Sequence, residues 1–269
     1  MMTSLTANKL TKDERYDVLG VRVSATNLDL ASETISAWIK NKEKQYVCVA
    51  PVSTIVECQH DDAYRKIVND AGMVTPDGMP VVWLGKMQRV PDLERTYGPD
   101  LLLKLCGLSK EREHRHYFYG GNPQSNDRLI KVLKRRFPGI HIAGTYVPRV
   151  LKIKEKETAD VIQAINQAKP DILWVGLGSP KQDQWMVDHR DELDVPVIIG
   201  VGAAFDFVSG MKKQAPRWMQ KAGLEWFFRL CSEPKRLWKR YLVGNTQFLY
   251  YLIVNWFKQL FIRKPKHDG

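Results

Sequence analysis

The feature that most constrains this chain is an alternation in its first 210 residues, where short β-rich runs are separated by helical patterns. The runs are Tyr46–Ala50, Met73–Thr75, His116–Tyr119, Ile140–Gly144, Ile172–Val175 and Val197–Val201. Between them lie helical stretches such as Ser53–Asp70, Ser125–Phe137, Lys154–Ala168 and Lys181–Asp191. Strands spaced by helices call for crossover connections, so the pattern predicts an α/β fold with a largely parallel sheet covered by helices on both faces. Several strands run into glycine: Gly120-Gly121 after HYFY, Gly176 and Gly178 after ILWV, and Gly202 after VIIGV. In open parallel sheets the ligand crevice lies beyond the carboxyl ends of the strands, which is where these turns fall.

After Gly210 the texture changes. Residues 211–269 hold 13 Lys and Arg against 3 Asp and Glu, a net +10, whereas residues 1–210 hold 28 and 27, a net +1. The segment is also rich in aromatics and ends in QFLYYLIVNWFKQLFI and the basic tail RKPKHDG. It reads as a helical appendage (211–269) to an α/β domain (1–210). So lopsided a charge implies an anionic partner. No nucleic-acid motif is present, so an anionic membrane surface is expected and nucleic acid is not. In the last helix Tyr251, Asn255, Lys258 and Gln259 make a narrow polar face, and apolar residues cover the rest. That profile suits a helix lying in a membrane interface. Packing on the domain, or on a second subunit in a homo-oligomer, is the competing reading.

The N-terminal residues lack the apolar run of a signal peptide, and no stretch reaches the roughly 18–20 apolar residues of a spanning helix. Four scattered cysteines (Cys48, Cys58, Cys106, Cys231) without a C-x-x-C pair suit a reducing compartment, with the thiols acting as small buried apolar groups. The expected location is therefore cytoplasmic, peripheral on the inner face of the membrane.

Asp77 sits in VTPDGMP, at the end of an apolar run. A carboxylate lifted into a strand-end crevice suits general-base chemistry. Asp-Gly is also a common turn pair, and Asp77 could instead cap the following helix. The turns at Gly120-Gly121 and at Gly176 and Gly178 would let backbone N–H groups approach phosphate oxygens, although neither is a full dinucleotide fingerprint or a Walker loop. Gln182, one turn into its helix, has crevice and surface readings. Asp61-Asp62 lies within a helical pattern rather than after a strand, so no metal or other cofactor is expected. A diphosphate leaving group would then need protein cations and helix dipoles. Arg229, Arg236 and Arg240 recur at spacings of seven and four, with Lys239 beside them; Pro234 secures a shared helical face only for Arg236 and Arg240.

Taken in order, DVLGVRV, NDAGMVTPDGMPVVW, ERTYGPDLL, FYGGNP, FPGIHIAGTYVP, DILWVGLGSPKQDQW, GVGAAFDFVSG and APRWMQKAGLEWFFRLCSEPKRLWKRYL resemble the WecG/TagA/CpsF family, glycosyltransferase family 26. The resemblance runs from about Tyr16 to Leu242. It implies a Rossmann-like domain that binds a UDP-sugar without metal and inverts the anomeric centre. The acceptor it implies is a sugar on a polyprenyl diphosphate, in surface polysaccharide or teichoic acid biosynthesis. By position Asp77 matches the catalytic base, and Gln182 and Asp206 match donor-site residues. Arg229 and Arg236 match appendage arginines that meet the acceptor diphosphate. The third such arginine falls on Lys239, which keeps the charge but loses the bidentate fork. Many members carry Thr-x-Asn where this chain has Val49 and Pro51, with Ser53 or Thr54 as possible substitutes.

The expected reaction is a single displacement in which Asp77 takes the proton of the attacking hydroxyl. Two rivals stand beside it: a Rossmann oxidoreductase, disfavoured by the incomplete fingerprint, and a non-catalytic membrane-bound nucleotide sensor.

Overall fold

The computed structural model describes residues 14–148 and 157–262, with backbone alone for residues 261 and 262. The chain opens with a hairpin, β1 (Arg15–Val18) and β2 (Val21–Ser24), followed by α1 (Leu28–Asn41) and β3 (Gln45–Ala50). Next come α2 (Val52–His60), α3 (Asp62–Asp70), β4 (Met73–Pro76), α4 (Met79–Met87) and α5 (Gly98–Arg112). They are succeeded by β5 (Arg115–Gly120), α6 (Pro123–Arg136), β6 (His141–Tyr146), α7 (Ala159–Gln167), β7 (Ile172–Gly176) and α8 (Lys181–Asp188). β8 (Val197–Gly200) and α9 (Ala204–Val208) lead to the C-terminal helices α10 (Arg217–Lys221), α11 (Glu225–Ser232), α12 (Pro234–Trp238) and α13 (Gly244–Ile262).

Strands β3 to β8 form one six-stranded sheet of order β4-β3-β8-β7-β5-β6, parallel throughout. Alternate residues of each strand enter two different cores, the arrangement of a sheet covered on both sides. Cys48, Leu173 and Ile198 join one core with residues of α2, α3, α4 and α8. Their neighbours Val47, Ile172 and Val197 join the other, with residues of α1, α5, α6 and α9. All six strands lie where the alternation predicts them.

The helical reading needs one correction. Ser53–Asp70 is two helices, because Asp61 leaves helical geometry (φ −136°) and its side chain accepts from Tyr64 N. An Asp at this junction caps α3 better than it continues α2. The hairpin, α1 and α5 were not singled out by the pattern. Of the stretch Lys154–Ala168, residues 154–156 lie outside the described residues, as do residues 1–13, 149–153 and the tail 263–269. Cys48, Cys58 and Cys106 are buried as expected of apolar thiols, but Cys231 is exposed.

One buried contact holds α8 in place. Tyr64 OH donates to Asp183 Oδ2 at 2.7 Å, tying α3 to the helix that carries Gln182. Burial pushes the Asp183 carboxyl above the usual range.

Pro234 does break the C-terminal run, with Glu233 separating α11 from α12. From Pro234 the chain is helical to Ile262, but residues Lys239–Val243 form a π turn between α12 and α13. Leu237, Tyr241 and Phe248 are buried, and Phe248 joins the core that holds α2, α3, α4 and α8, a contribution of about 1.5–3 kcal/mol of apolar burial. Tyr241 packs beside Trp226 and Arg229 of α11. Among the described residues no helix is long and apolar enough to cross a membrane.

Candidate active site

β3 lies between β4 and β8 in the sheet, and a crevice opens beyond the carboxyl ends of these strands. It is a cavity of about 260 Å³ lined by Val49 and Pro51 after β3, Asp77 after β4, Gly121 after β5, Gly176–Ser179 after β7 and Val201–Phe207 after β8. The appendage supplies the opposite wall, with Lys212, Arg229, Arg236 and Arg240. Residues more than 150 positions apart thus converge on one site.

Asp77 follows β4 with a side chain 16% exposed. It does not cap α4: the N-cap is Gly78, and no side-chain cap bond is formed. Its Oδ1 instead accepts from Arg95 Nη2 at 3.2 Å, and Arg95 Nε donates to its main-chain carbonyl. Burial raises the Asp77 carboxyl above the usual range; Arg95 opposes the rise, Glu225 adds to it, and Arg229 opposes it. A carboxylate with its basicity raised this way fits the role of a general base.

Gln182 is 2% exposed and faces inward. Its Oε1 accepts from Gly178 N at 3.1 Å and from Gly202 N at 2.8 Å, while Nε2 donates to Ser179 Oγ at 3.2 Å. One side chain therefore pins the loops after β7 and β8 to each other. Gly178 adopts φ +81°, which favours glycine, and this aims its N–H at Gln182. Gly120 is needed for another reason: a Cβ there would lie 2.7 Å from Gly176 O, on the neighbouring strand. Gly121 N donates to that same carbonyl at 3.0 Å. The N–H groups of Gly121 and Gly178 are thus engaged inside the protein, and Gly120 does not line the cavity. Gly121, Gly176 and Gly178 nevertheless line the cavity.

Positive charge comes from side chains. Arg229 lies over the rings of Phe207 (5.1 Å) and Tyr241 (6.0 Å), and among the described residues no carboxylate pairs with it. Arg236 pairs with Glu233 at 2.6 Å, and Lys212 bridges Asp206 at 2.9 Å. Arg240 donates to Ser53 Oγ through Nε (3.1 Å) and Nη2 (2.8 Å), and burial lowers its affinity for its proton. Arg229, Arg236 and Arg240 share the crevice despite the break at Pro234. Lys239 does not: it turns outward, 5.6 Å from the Trp238 ring. The position beside it, Arg240, brings a guanidinium to the crevice. Val49 and Pro51 give the crevice an apolar patch; of the two substitutes considered, Ser53 is used by Arg240, and buried Thr54 Oγ1 has no partner among the described residues.

A second cavity, about 470 Å³, begins where the first ends and shares Pro51, Asp77, Arg229 and Arg240 with it. It is a groove between α4 and the appendage, walled by Trp83, Met87, Trp226, Phe248 and Leu252. Asp77 stands at the junction of a cationic crevice and an apolar groove.

A sequence model described as the Glycosyl transferase WecG/TagA/CpsF family matches residues 16–261. The chain belongs to that family. It is 29% identical over 250 residues to an N-acetylglucosaminyldiphosphoundecaprenol N-acetyl-beta-D-mannosaminyltransferase of Bacillus subtilis (strain 168), covering 90% of this chain and 95% of the relative. Proteins of the same name from Bacillus spizizenii (strain ATCC 23059 / NRRL B-14472 / W23) and Staphylococcus aureus (strain MRSA252) are 31% and 24% identical. These matches cover 80% and 87% of this chain, and 84% and 91% of the relatives. As a WecG/TagA/CpsF member the protein is a glycosyltransferase. Sequence reasoning singled out neither Arg95 nor Glu225, the two ionic residues linked to Asp77. Arg95 lies within the ERTYGPDLL stretch, but nothing in that stretch sets its side chain apart from its neighbours. Glu225 left a signal, being one of only two acidic residues between positions 211 and 240.

Proposed function

We propose that the protein transfers an N-acetylhexosaminyl group from a UDP-sugar to a saccharide carried on a polyprenyl diphosphate, inverting the anomeric centre. The observation that carries this reading is the position of Asp77, between a crevice lined by four cationic side chains and an apolar groove. A nucleotide diphosphate suits the first and a lipid-borne acceptor suits the second. The names of the relatives supply the finer candidates: N-acetylmannosamine as the sugar and N-acetylglucosaminyl-diphosphoundecaprenol as the acceptor.

Asp77 takes the proton from the acceptor hydroxyl as that oxygen attacks the anomeric carbon on the face opposite UDP. Sugar transfer of this kind passes through an oxocarbenium-like state, and the bond to the diphosphate breaks as it forms. Lys212, Arg229, Arg236 and Arg240 are preorganised to take up the charge that develops on the leaving diphosphate, at a stage where electrostatic help lowers the barrier most. Asp77 and Asp206 each already have a cationic partner, Arg95 and Lys212, which supports chemistry without a divalent ion.

The appendage also holds the enzyme on the membrane surface. α13 turns Phe248 and Leu252 inward and exposes Leu249, Tyr250, Ile253, Trp256, Phe257 and Leu260. An apolar stripe beside a strongly basic segment suits an anionic bilayer interface, and it brings the groove to the level where a polyprenyl chain resides.

The test is calorimetric titration with UDP, GDP, CDP and NAD in EDTA, followed by transfer assays from UDP-N-acetylmannosamine to a lipid-linked N-acetylglucosaminyl diphosphate. Selective UDP binding and formation of a disaccharide-lipid are expected. Binding of NAD without UDP would overturn the reading.

A further inference from the structure

Glu225 opens α11 in the appendage, yet its side chain is only 13% exposed and reaches into the α/β domain. It accepts from Arg95 Nη2 at 2.7 Å and from Tyr97 OH at 3.0 Å. The same Arg95 nitrogen is 3.2 Å from Asp77 Oδ1. The guanidinium lies 4.1 Å over the Tyr97 ring, which fixes its plane. Arg95 is therefore divided between two carboxylates from different parts of the chain, and it is nearer the one the appendage brings.

We propose that Glu225 is a positioning residue for the catalytic base: by holding Arg95 it stops the guanidinium from closing on Asp77 at two points, leaving Asp77 an oxygen for the acceptor's proton. The inference rests on reading Asp77 as the base. Two-point arginine–carboxylate pairs are among the strongest charge-assisted contacts in proteins, and they stabilise the charged carboxylate at the expense of its basicity. The groups facing Asp77 are Arg95 on the connection after α4, Arg229 on α11, Arg240 in the π turn, the phenols Tyr97 and Tyr241, and Glu225. Among these Glu225 is the single carboxylate, opposing three cations. Because it arrives with α11, Asp77 is fully competent only while the appendage is seated. Seating at a membrane and the chemical step are then linked through one guanidinium.

Glu225→Gln keeps the shape and an accepting oxygen but removes the charge. Two measurements on the full-length protein read the outcome. One is the pH profile of kcat for transfer from UDP-N-acetylmannosamine to a lipid-linked N-acetylglucosaminyl diphosphate. The other is carbon-13 NMR titration of the Asp77 carboxyl, which needs no turnover. In the variant, kcat at neutral pH should fall about tenfold with little change in KM, and the acid limb should move to lower pH. Asp77 should titrate at lower pH as well. Tyr97→Phe, which removes one bond to Glu225 but not its charge, should leave the acid limb in place.

An Asp77 titration unmoved by Glu225→Gln overturns the proposal, whatever the turnover. Should that variant fail to fold, Glu225→Asp carries the test. Its shorter carboxylate lets Arg95 shift toward Asp77, so the limb and the titration should move part-way, and no movement overturns the idea. Wild-type protein that transfers nothing, yet shows the titration shift, would refute the proposed reaction and leave the positioning role standing.

Discussion

Gln182 offers the most direct test of how the crevice is built. Gln182→Leu keeps the side-chain bulk but removes the oxygen that accepts from both Gly178 N and Gly202 N. A buried donor left without a partner costs about 1–3 kcal/mol. Gly178 and Gly202 are half-buried, so water relieves part of that cost, and the lower end applies: about 2–3 kcal/mol for the pair. For a chain of this size the loss corresponds to a fall in Tm of roughly 4–10 °C. Thermal unfolding measures the sum, and amide hydrogen exchange locates it, because Gly178 and Gly202 should lose protection together. UDP affinity should fall too, since both loops line the crevice. If Tm and both amides were unchanged while UDP affinity collapsed, the reasoning would be refuted: Gln182 would then act by touching the donor and not by pinning the loops.

Asp77→Asn should cut kcat by about 10²–10⁴-fold and spare UDP binding, checked by turnover and calorimetry side by side. The raised Asp77 carboxyl sets two pH dependences. Only the ionised form acts as a base, so turnover should fall with acid from a pH above the ordinary carboxylate value of about 4. The folded state also binds this proton more tightly than the unfolded state. The contribution of Asp77 to stability is therefore greatest below the unfolded value and declines as pH rises toward the folded one, so Asp77→Asn should unfold no earlier than wild type at pH 7. Replacing Trp256, Phe257 and Leu260 together by Ser should lower partitioning onto anionic vesicles at least tenfold while Tm holds within about 2 °C, as measured by vesicle sedimentation and calorimetry. A vanished dimer in that variant would assign the stripe to a subunit contact instead. Arg240→Ala should reduce turnover strongly and Lys239→Ala only slightly, because only Arg240 faces the crevice.

The strands were legible because a strand buried on both faces must be apolar along its length, and such runs stand out between amphipathic helices. Asp77 and the glycine turns were legible as positions at strand ends. Their contacts were not. Gln182 looked like an ambiguous helical glutamine because its partners, Gly178 and Gly202, are united only when β7 and β8 pair. Spacing could not decide between Lys239 and Arg240, since the π turn alters which side of the helix each faces. Arg95 and Glu225 lie 130 residues apart and meet only once the appendage has folded back over the crevice.

That π turn governs more than the five residues that form it. A π turn accommodates one residue beyond an α-helical path, and each α-helical residue advances the helix by about 100°. α13 is therefore rotated by roughly that angle relative to an uninterrupted continuation of α12. Upstream, Arg236 looks into the crevice; downstream, Phe248 looks into the core and Trp256 looks out. Removing a single residue between Lys239 and Val243 would restore regular winding and swing the outward stripe a quarter of the way round, turning Phe248 toward water. Segment length, and not only composition, keeps chemistry and anchoring in phase, so the exposed positions Lys239, Leu242 and Val243 should accept substitutions more readily than the stretch accepts a one-residue insertion or deletion.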